Sequence, residues 1–210
     1  LRYGIPNYRF PKERLDQDLT ALLSAGNIEV KYEVMVGKDI SIEEIQASHD
    51  AMFIGIGAQK GKTLRIKGAD ANNVFSAVEM LDGIGNDIIP DYADKVVVVI
   101  GGGNVAMDAA RSAVRCKAKD VRIVYRRRQD DMTALHAEIE GAVMEGIELI
   151  TLAAPEAIEV DEHNNCIGLT VQPQMTGHYD HGGRPSPVKA NKPPFTIACD
   201  VILVAVGQDI

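Results

Sequence analysis

Gly101, Gly103 and Ala106 stand in the spacing Gly-x-Gly-x-x-Ala inside the run IGGGNVAMDAAR at 100–111. That spacing suits a chain that must hold a pyrophosphate. The first glycine permits a sharp turn, the second lets the anion approach the backbone, and the third small residue lets helix and strand pack closely. Amides in the first turn of the following helix lack partners inside the helix and are left to face the phosphates. Further along, Arg126, Arg127 and Arg128 end the segment VYRRR, with no Asp or Glu between Val121 and Arg128. An acidic residue near this place binds a ribose 2′-hydroxyl, whereas arginine accommodates a 2′-phosphate. The planar guanidinium fork can bond two phosphate oxygens at once. Together these residues predict a dinucleotide carrying that phosphate, NADP(H).

Positioning them requires a strand, a turn and a helix in immediate succession. Val96–Ile100 is a run of β-branched residues suited to a parallel strand buried on both faces. A helix is predicted from Asn104 to Lys117, then a strand over 121–125. Leu135, Ile139 and Val143 mark one face of a second helix that ends near Gly146, and a strand follows at 147–152. This β-α-β-α-β array is followed by two strands, 156–160 and 167–172, separated by the turn-forming cluster 161–165. Residues 173–194, rich in Pro, Gly, His and Asn, read as an exposed loop, and 201–206 as a final buried strand.

The first part of the chain is less regular. Residues 1–12 carry Gly, Pro and aromatics and predict a restricted loop. Leu15, Leu19, Leu22 and Leu23 recur at helical spacing up to Gly26. Residues 28–36 alternate as a strand, Ser41 with Glu44 matches a capping box, and 51–56 reads as a short apolar strand. Residues 84–94 read as a connector into the nucleotide unit.

Composition narrows the functional classes. The chain has 210 residues, 46% hydrophobic and 25% charged, with a net charge of −8. That balance argues against nucleic-acid binding. Residues 91–150 carry nine basic and ten acidic residues, so almost all the net charge lies outside the expected anion site. No apolar stretch approaches the length of a membrane span, which predicts no membrane partner, and no signal peptide opens the chain. Cys116, Cys166 and Cys199 form no CxxC pair; they read as buried fillers in a reducing, cytoplasmic setting. No metal site is predicted. The five histidines lack ligand spacing on a helix face, and HYDH at 178–181 reads as a solvated loop. Asp108 and Glu138 read as helix-surface acids. No residue is assigned a catalytic role, because hydride chemistry resides in the cofactors and the protein supplies orientation and electrostatics.

The sequence resembles the glutamate synthase small-subunit family, flavoproteins with two dinucleotide-binding domains. The resemblance rests on YGIPNYRFPK at 3–12, GIGAQKGKTLRIKGAD at 55–70, IGGGNVAMDAAR at 100–111, VYRRRQDDMTA at 124–134 and AVGQ at 205–208. It implies an α/β, Rossmann-like NADPH domain, a parallel sheet with helices plus a small antiparallel meander, over 88–210. Residues 1–87 would be a partial flavin-domain segment. It further implies hydride transfer from NADPH to FAD, then onward to iron–sulfur centres and a redox partner subunit. Gly101, Gly103, Asn104, Val105 and Ala106 would surround the pyrophosphate, with Arg126 and Arg127 at the 2′-phosphate. Gly4, Ile5 and Pro6 would lie near the flavin ring, Gly57 and Ala58 at the crossover between domains, and Gly207 at the return crossover. Thr133 stands where relatives carry proline, which predicts a looser loop after the arginines.

The resemblance also implies a piece of a longer enzyme. The flavin domain's own glycine turn is not in the sequence, and the chain has no initiator methionine. The expectation is therefore an inactive segment that binds NADPH but not FAD. Two other functions fit parts of the sequence. A non-catalytic NADP-sensing or docking module would use 173–194 as a partner surface. A short-chain dehydrogenase would use Tyr8-x-x-x-Lys12, although Pro11 disfavours a catalytic helix there.

Overall fold

The computed structural model describes residues 1–180 and 183–210. Its centre is a five-stranded sheet built from β2 (Val74–Ser76), β3 (Val96–Ile100), β4 (Asp120–Tyr125), β5 (Glu148–Thr151) and β10 (Val201–Val204). The spatial order is β2-β10-β3-β4-β5, and every pairing is parallel. The unbroken apolar runs follow from burial on both faces. Val97, Val99, Val121, Ile123, Val201 and Leu203 face a core shared with α3 (Ala77–Gly85), α4 (Asn104–Arg115) and α5 (His136–Met144). Val98, Ile100, Val124, Ile202 and Val204, the alternate residues, face a second core.

That second core is roofed by an antiparallel meander: β6 (Ala153–Val160), β7 (Cys166–Tyr179), β8 (Pro185–Lys189) and β9 (Phe195–Ala198). Its buried side chains include Ile158, Leu169 and Val171. All three cysteines are buried and free of disulfides. Ala106, Ala109, Ala110 and Ala113 are fully buried on α4. Methyl side chains there let the helix lie close against β3 without overpacking.

The earlier part is more open. α1 (Lys12–Ser24) and α2 (Ile42–Ser48) form as expected, and Ser41 and Glu44 exchange both hydrogen bonds of a capping box. Of the predicted apolar face of α1, only Leu15 is buried. Residues 28–36 and 51–56 are not strands, contrary to their patterns. Among the described residues no strand pairs with either, and an unpaired extended segment leaves its backbone groups to water. β1 (Lys60–Gly61) pairs antiparallel with β11 (Gln208–Asp209), which brings the end of the chain back to residue 60.

Two further expectations are corrected. Residues 173–194 are largely ordered: β7 continues to Tyr179 and pairs with β8, and β9 begins at Phe195. His181 of HYDH lies outside the described residues. On α5 the buried pair is Ile139 and Ala142, while Leu135 and Val143 are exposed. The glycine-side core needs only that narrow stripe, because α5 also packs on α4 through charged residues. β2 and α3, both before residue 88, pair with β10 and pack in the first core. Among the described residues no helix is long and apolar enough to cross a membrane.

Candidate dinucleotide site

The strand order reverses between β10 and β3, and a crevice opens there beyond their carboxyl ends, where open α/β sheets bind ligands. It is a cleft of about 610 Å³. It is lined by Gly101–Val105, by Arg126, Arg127 and Thr133, and by Ala205–Gln208 with Thr63–Ile66. Gly101 has φ +153°, and an added Cβ would lie 2.4 Å from the Ala205 carbonyl oxygen. That carbonyl cannot retreat easily, since Ala205 N–H donates to Ile100 at 2.8 Å. Gly102, which the spacing rule leaves unspecified, is equally constrained: a Cβ there would meet the Tyr125 ring at 2.5 Å.

Gly103 caps α4 without any side-chain hydrogen bond, and no acidic residue stands in the first turn. The positive end of the helix therefore opens into the cleft unopposed, an arrangement that favours anions. Asn104 and Val105 line the cleft; Ala106 does not, and acts as packing against the sheet. The Asn104 carbonyl oxygen accepts from Leu135 N–H at 2.9 Å, so this side chain also ties the turn to the start of α5.

The loop after the arginines is held more firmly than expected. Thr133 and Ala134 N–H groups both donate to the Gly102 carbonyl, and Tyr125 OH donates to the Asp131 carbonyl. Arg128 turns away to a two-bond pair with Asp131. Arg126 is exposed along the cleft and makes no ion pair or hydrogen bond among the described residues. The Arg127 side chain is only 12% exposed and reaches Asp180 at 3.2 Å. Among the described residues its Nε is buried with no hydrogen-bond partner, which is the kind of orphan a bound anion would satisfy.

The other predicted residues divide. Gly207 lines the cleft with φ +115°, and its carbonyl accepts from Lys62 N–H. Ile5 and Pro6 line a separate 190 Å³ hollow against Ile84 and Gly85; Gly4 does not line it. Gly57 and Ala58 are exposed and line neither space.

Sequence reasoning missed a lock between the first loop and α4. Asp108 and Glu138 are not surface acids. Arg9 donates twice to the Asp108 carboxylate, at 2.9 and 2.8 Å, and pairs with Glu138 at 3.0 Å. Arg111 joins Glu138 and Glu145, Arg115 joins Glu145, and both guanidiniums lie over the Tyr8 ring. The Tyr8 hydroxyl donates to the Asp108 carbonyl, and its pKa is pushed up to about 12 by burial and then by Asp108. Lys12 Nζ donates to the Ile5 carbonyl. Tyr8 and Lys12 are thus engaged outside the cleft, which removes the dehydrogenase pair. The spacing 108, 111, 115 on one helical face was the available signal, but its partners lie far off in sequence.

Burial raises the Asp108 carboxyl, against the pull of Arg9. Hydrogen bonds from Arg115, offset in part by burial and reinforced by Arg111, hold Glu145 down at about 2. A depressed carboxyl contributes stability above its ordinary value near 4.5 and loses it as pH falls towards 2. Glu145→Gln should therefore flatten the acid limb of unfolding between about pH 4.5 and 2 in denaturant titrations. An unchanged limb would remove Glu145 from the acid response. Among the described residues, no group of three or more His, Cys, Asp or Glu could hold a metal ion.

Comparison with known proteins agrees with this geometry. The profile of the pyridine nucleotide-disulphide oxidoreductase family matches residues 7–210. The chain belongs to that family. It is 34% identical to NADP(+)-dependent formate dehydrogenase subunit beta of Moorella thermoacetica, over 99% of this chain and 29% of that protein. It is 34% identical to NADPH-Fe(3+) oxidoreductase subunit beta of Geobacter sulfurreducens, over 98% and 31%. The glutamate synthase [NADPH] small chain of Azospirillum brasilense is 31% identical over 99% and 45%. The chain thus spans half or less of these relatives, which are subunits by name. Among solved structures, Mycobacterium tuberculosis FprA in complex with NADPH superimposes with a TM-score of 0.78 at 16% identity. The match covers 99% of this chain and 61% of that one and establishes the fold.

Proposed function

We propose that this chain is the pyridine-nucleotide side of an NADPH-dependent flavoprotein oxidoreductase. Residues 88–210 hold NADPH, and 1–87 contribute a flavin-side segment, with β2 and α3 fusing the two. The observation that carries the reading is one cleft combining an uncapped helix start at Gly103 with Arg126 and a buried, under-bonded Arg127.

NADPH, when bound, supplies a hydride that FAD in the complete protein accepts and passes to a redox partner. This chain's residues bind and orient. The α4 amides and the Gly101–Val105 backbone take the pyrophosphate, with Ala106 keeping the helix close. Arg126 and Arg127 take the 2′-phosphate by charge-assisted bonds. Gly207, held by Lys62, also lines the cleft. Gly4, Ile5 and Pro6 are assigned to the flavin side, and Gly57 and Ala58 to the crossover. The Arg9–Asp108 lock fixes the first loop against the helix that carries the phosphate site. Names such as subunit beta and small chain among the relatives support a partner subunit. A cytoplasmic location fits the free cysteines.

Anaerobic addition of NADPH to the FAD-loaded complete protein should bleach the oxidised flavin absorbance, and equimolar NADH should do so far more slowly. Flavin that stays oxidised while NADPH binds would favour a nucleotide sensor instead.

A further inference from the structure

A third guanidinium reaches the cleft from the residue just before β8. Arg184 lines the same space as Arg126 and Arg127. Asp180 lies between two of them: its Oδ2 is 3.2 Å from Arg127 Nη2 and 3.9 Å from Arg184 Nε. Its Oδ1 accepts from the Arg184 backbone N–H at 3.0 Å. One carboxylate oxygen is thus shared by two guanidiniums in a cleft where Arg127 Nε has no hydrogen-bond partner among the described residues. A carboxylate bridging two arginines presents the charge and acceptor oxygens that a phosphate monoester also presents.

We propose that Arg184 is a specificity-determining residue for the 2′-phosphate, and that Asp180 is its internal counter-ion, standing where that phosphate draws on the same two arginines. The inference rests on the NADPH reading and deepens it. Arg126 and Arg127 follow a parallel strand of the nucleotide unit, whereas Arg184 comes from the meander. The meander therefore does more than roof the core. It supplies selectivity from beside Arg127, and Asp180 limits how strongly the site attracts anions lacking the correct shape.

The test is calorimetric titration of the protein with NADPH and with NADH. Arg184→Ala should weaken NADPH by about tenfold, the scale of one charge-assisted bond, while leaving NADH affinity nearly unchanged. Asp180→Asn should tighten NADPH several-fold and leave NADH unaffected. Arg184→Ala should melt like the parent protein, because the Arg184 side chain is 42% exposed, whereas Asp180→Asn should melt lower by removing the carboxylate that Arg127 pairs with. If the unsubstituted protein binds both nucleotides equally, the NADPH reading and this inference fail together. If it prefers NADPH and Arg184→Ala keeps that preference, or weakens both nucleotides alike, this inference alone is overturned.

Discussion

Arg9→Ala is expected to destabilise the fold by about 3 kcal/mol, the lower end of what breaking one side of a buried ion pair costs. The loss exceeds that of a surface pair because of what remains behind. Asp108 is 6% exposed, and without Arg9 its carboxylate would face Glu138 with much less compensation. Arg9 itself is one-fifth exposed, which keeps the figure from the upper end. Urea unfolding should show a lower midpoint with an unchanged slope, because the unfolded surface is the same. Limited proteolysis should also cut residues 1–12 faster, since Tyr8 and Arg9 anchor that loop to α4. Adding Asp108→Leu to Arg9→Met should recover part of the loss by removing both charges together. A change within about 0.5 kcal/mol, the range of ordinary surface substitutions, would show that the lock is ornamental.

Gly101→Ala should cost about as much, for a different reason. Its Cβ would fall 2.4 Å from a backbone oxygen held in the sheet, in a conformation that side chains rarely adopt. Overpacking and backbone strain each cost about 1–3 kcal/mol. The same methyl would displace the turn proposed to hold the pyrophosphate, so NADPH affinity should fall with stability. Gly4→Ala is the control: an added Cβ there meets nothing within 4 Å, and stability should shift by less than about 0.5 kcal/mol. Equal, small effects at both positions would mean that the turn does not need glycine.

These two positions also show what was legible in the sequence. Gly101 could be read directly, because a turn between a β-branched run and a helix is a local matter. Arg126 and Arg127 were legible for the same reason, standing at the end of the next strand. Arg9 was not, since its partners are 99 and 129 residues away and only the fold brings them together. The strands predicted at 28–36 and 51–56 show the converse. Alternating polarity marks a segment that can be half-buried, yet a strand exists only where another lies beside it. The hairpin carrying Arg184 was hidden by its prolines and glycines, which resemble loop composition although β7 and β8 pair around them. Spacing places Leu135 and Val143 on the buried face, because it cannot distinguish a wide apolar stripe from a narrow one; both are exposed. The helix received its second support from charges instead.

The central claim is that one cleft holds a dinucleotide by its 2′-phosphate, and the most direct measurement compares 2′,5′-ADP with 5′-AMP in binding to the protein. Both ligands carry the adenosine and a 5′-phosphate, so only the 2′-phosphate, the group proposed to meet Arg126 and Arg127, differs. The account predicts that 2′,5′-ADP binds about 10- to 100-fold more tightly, with a preference that shrinks as salt rises. Equal affinities at low salt would contradict it.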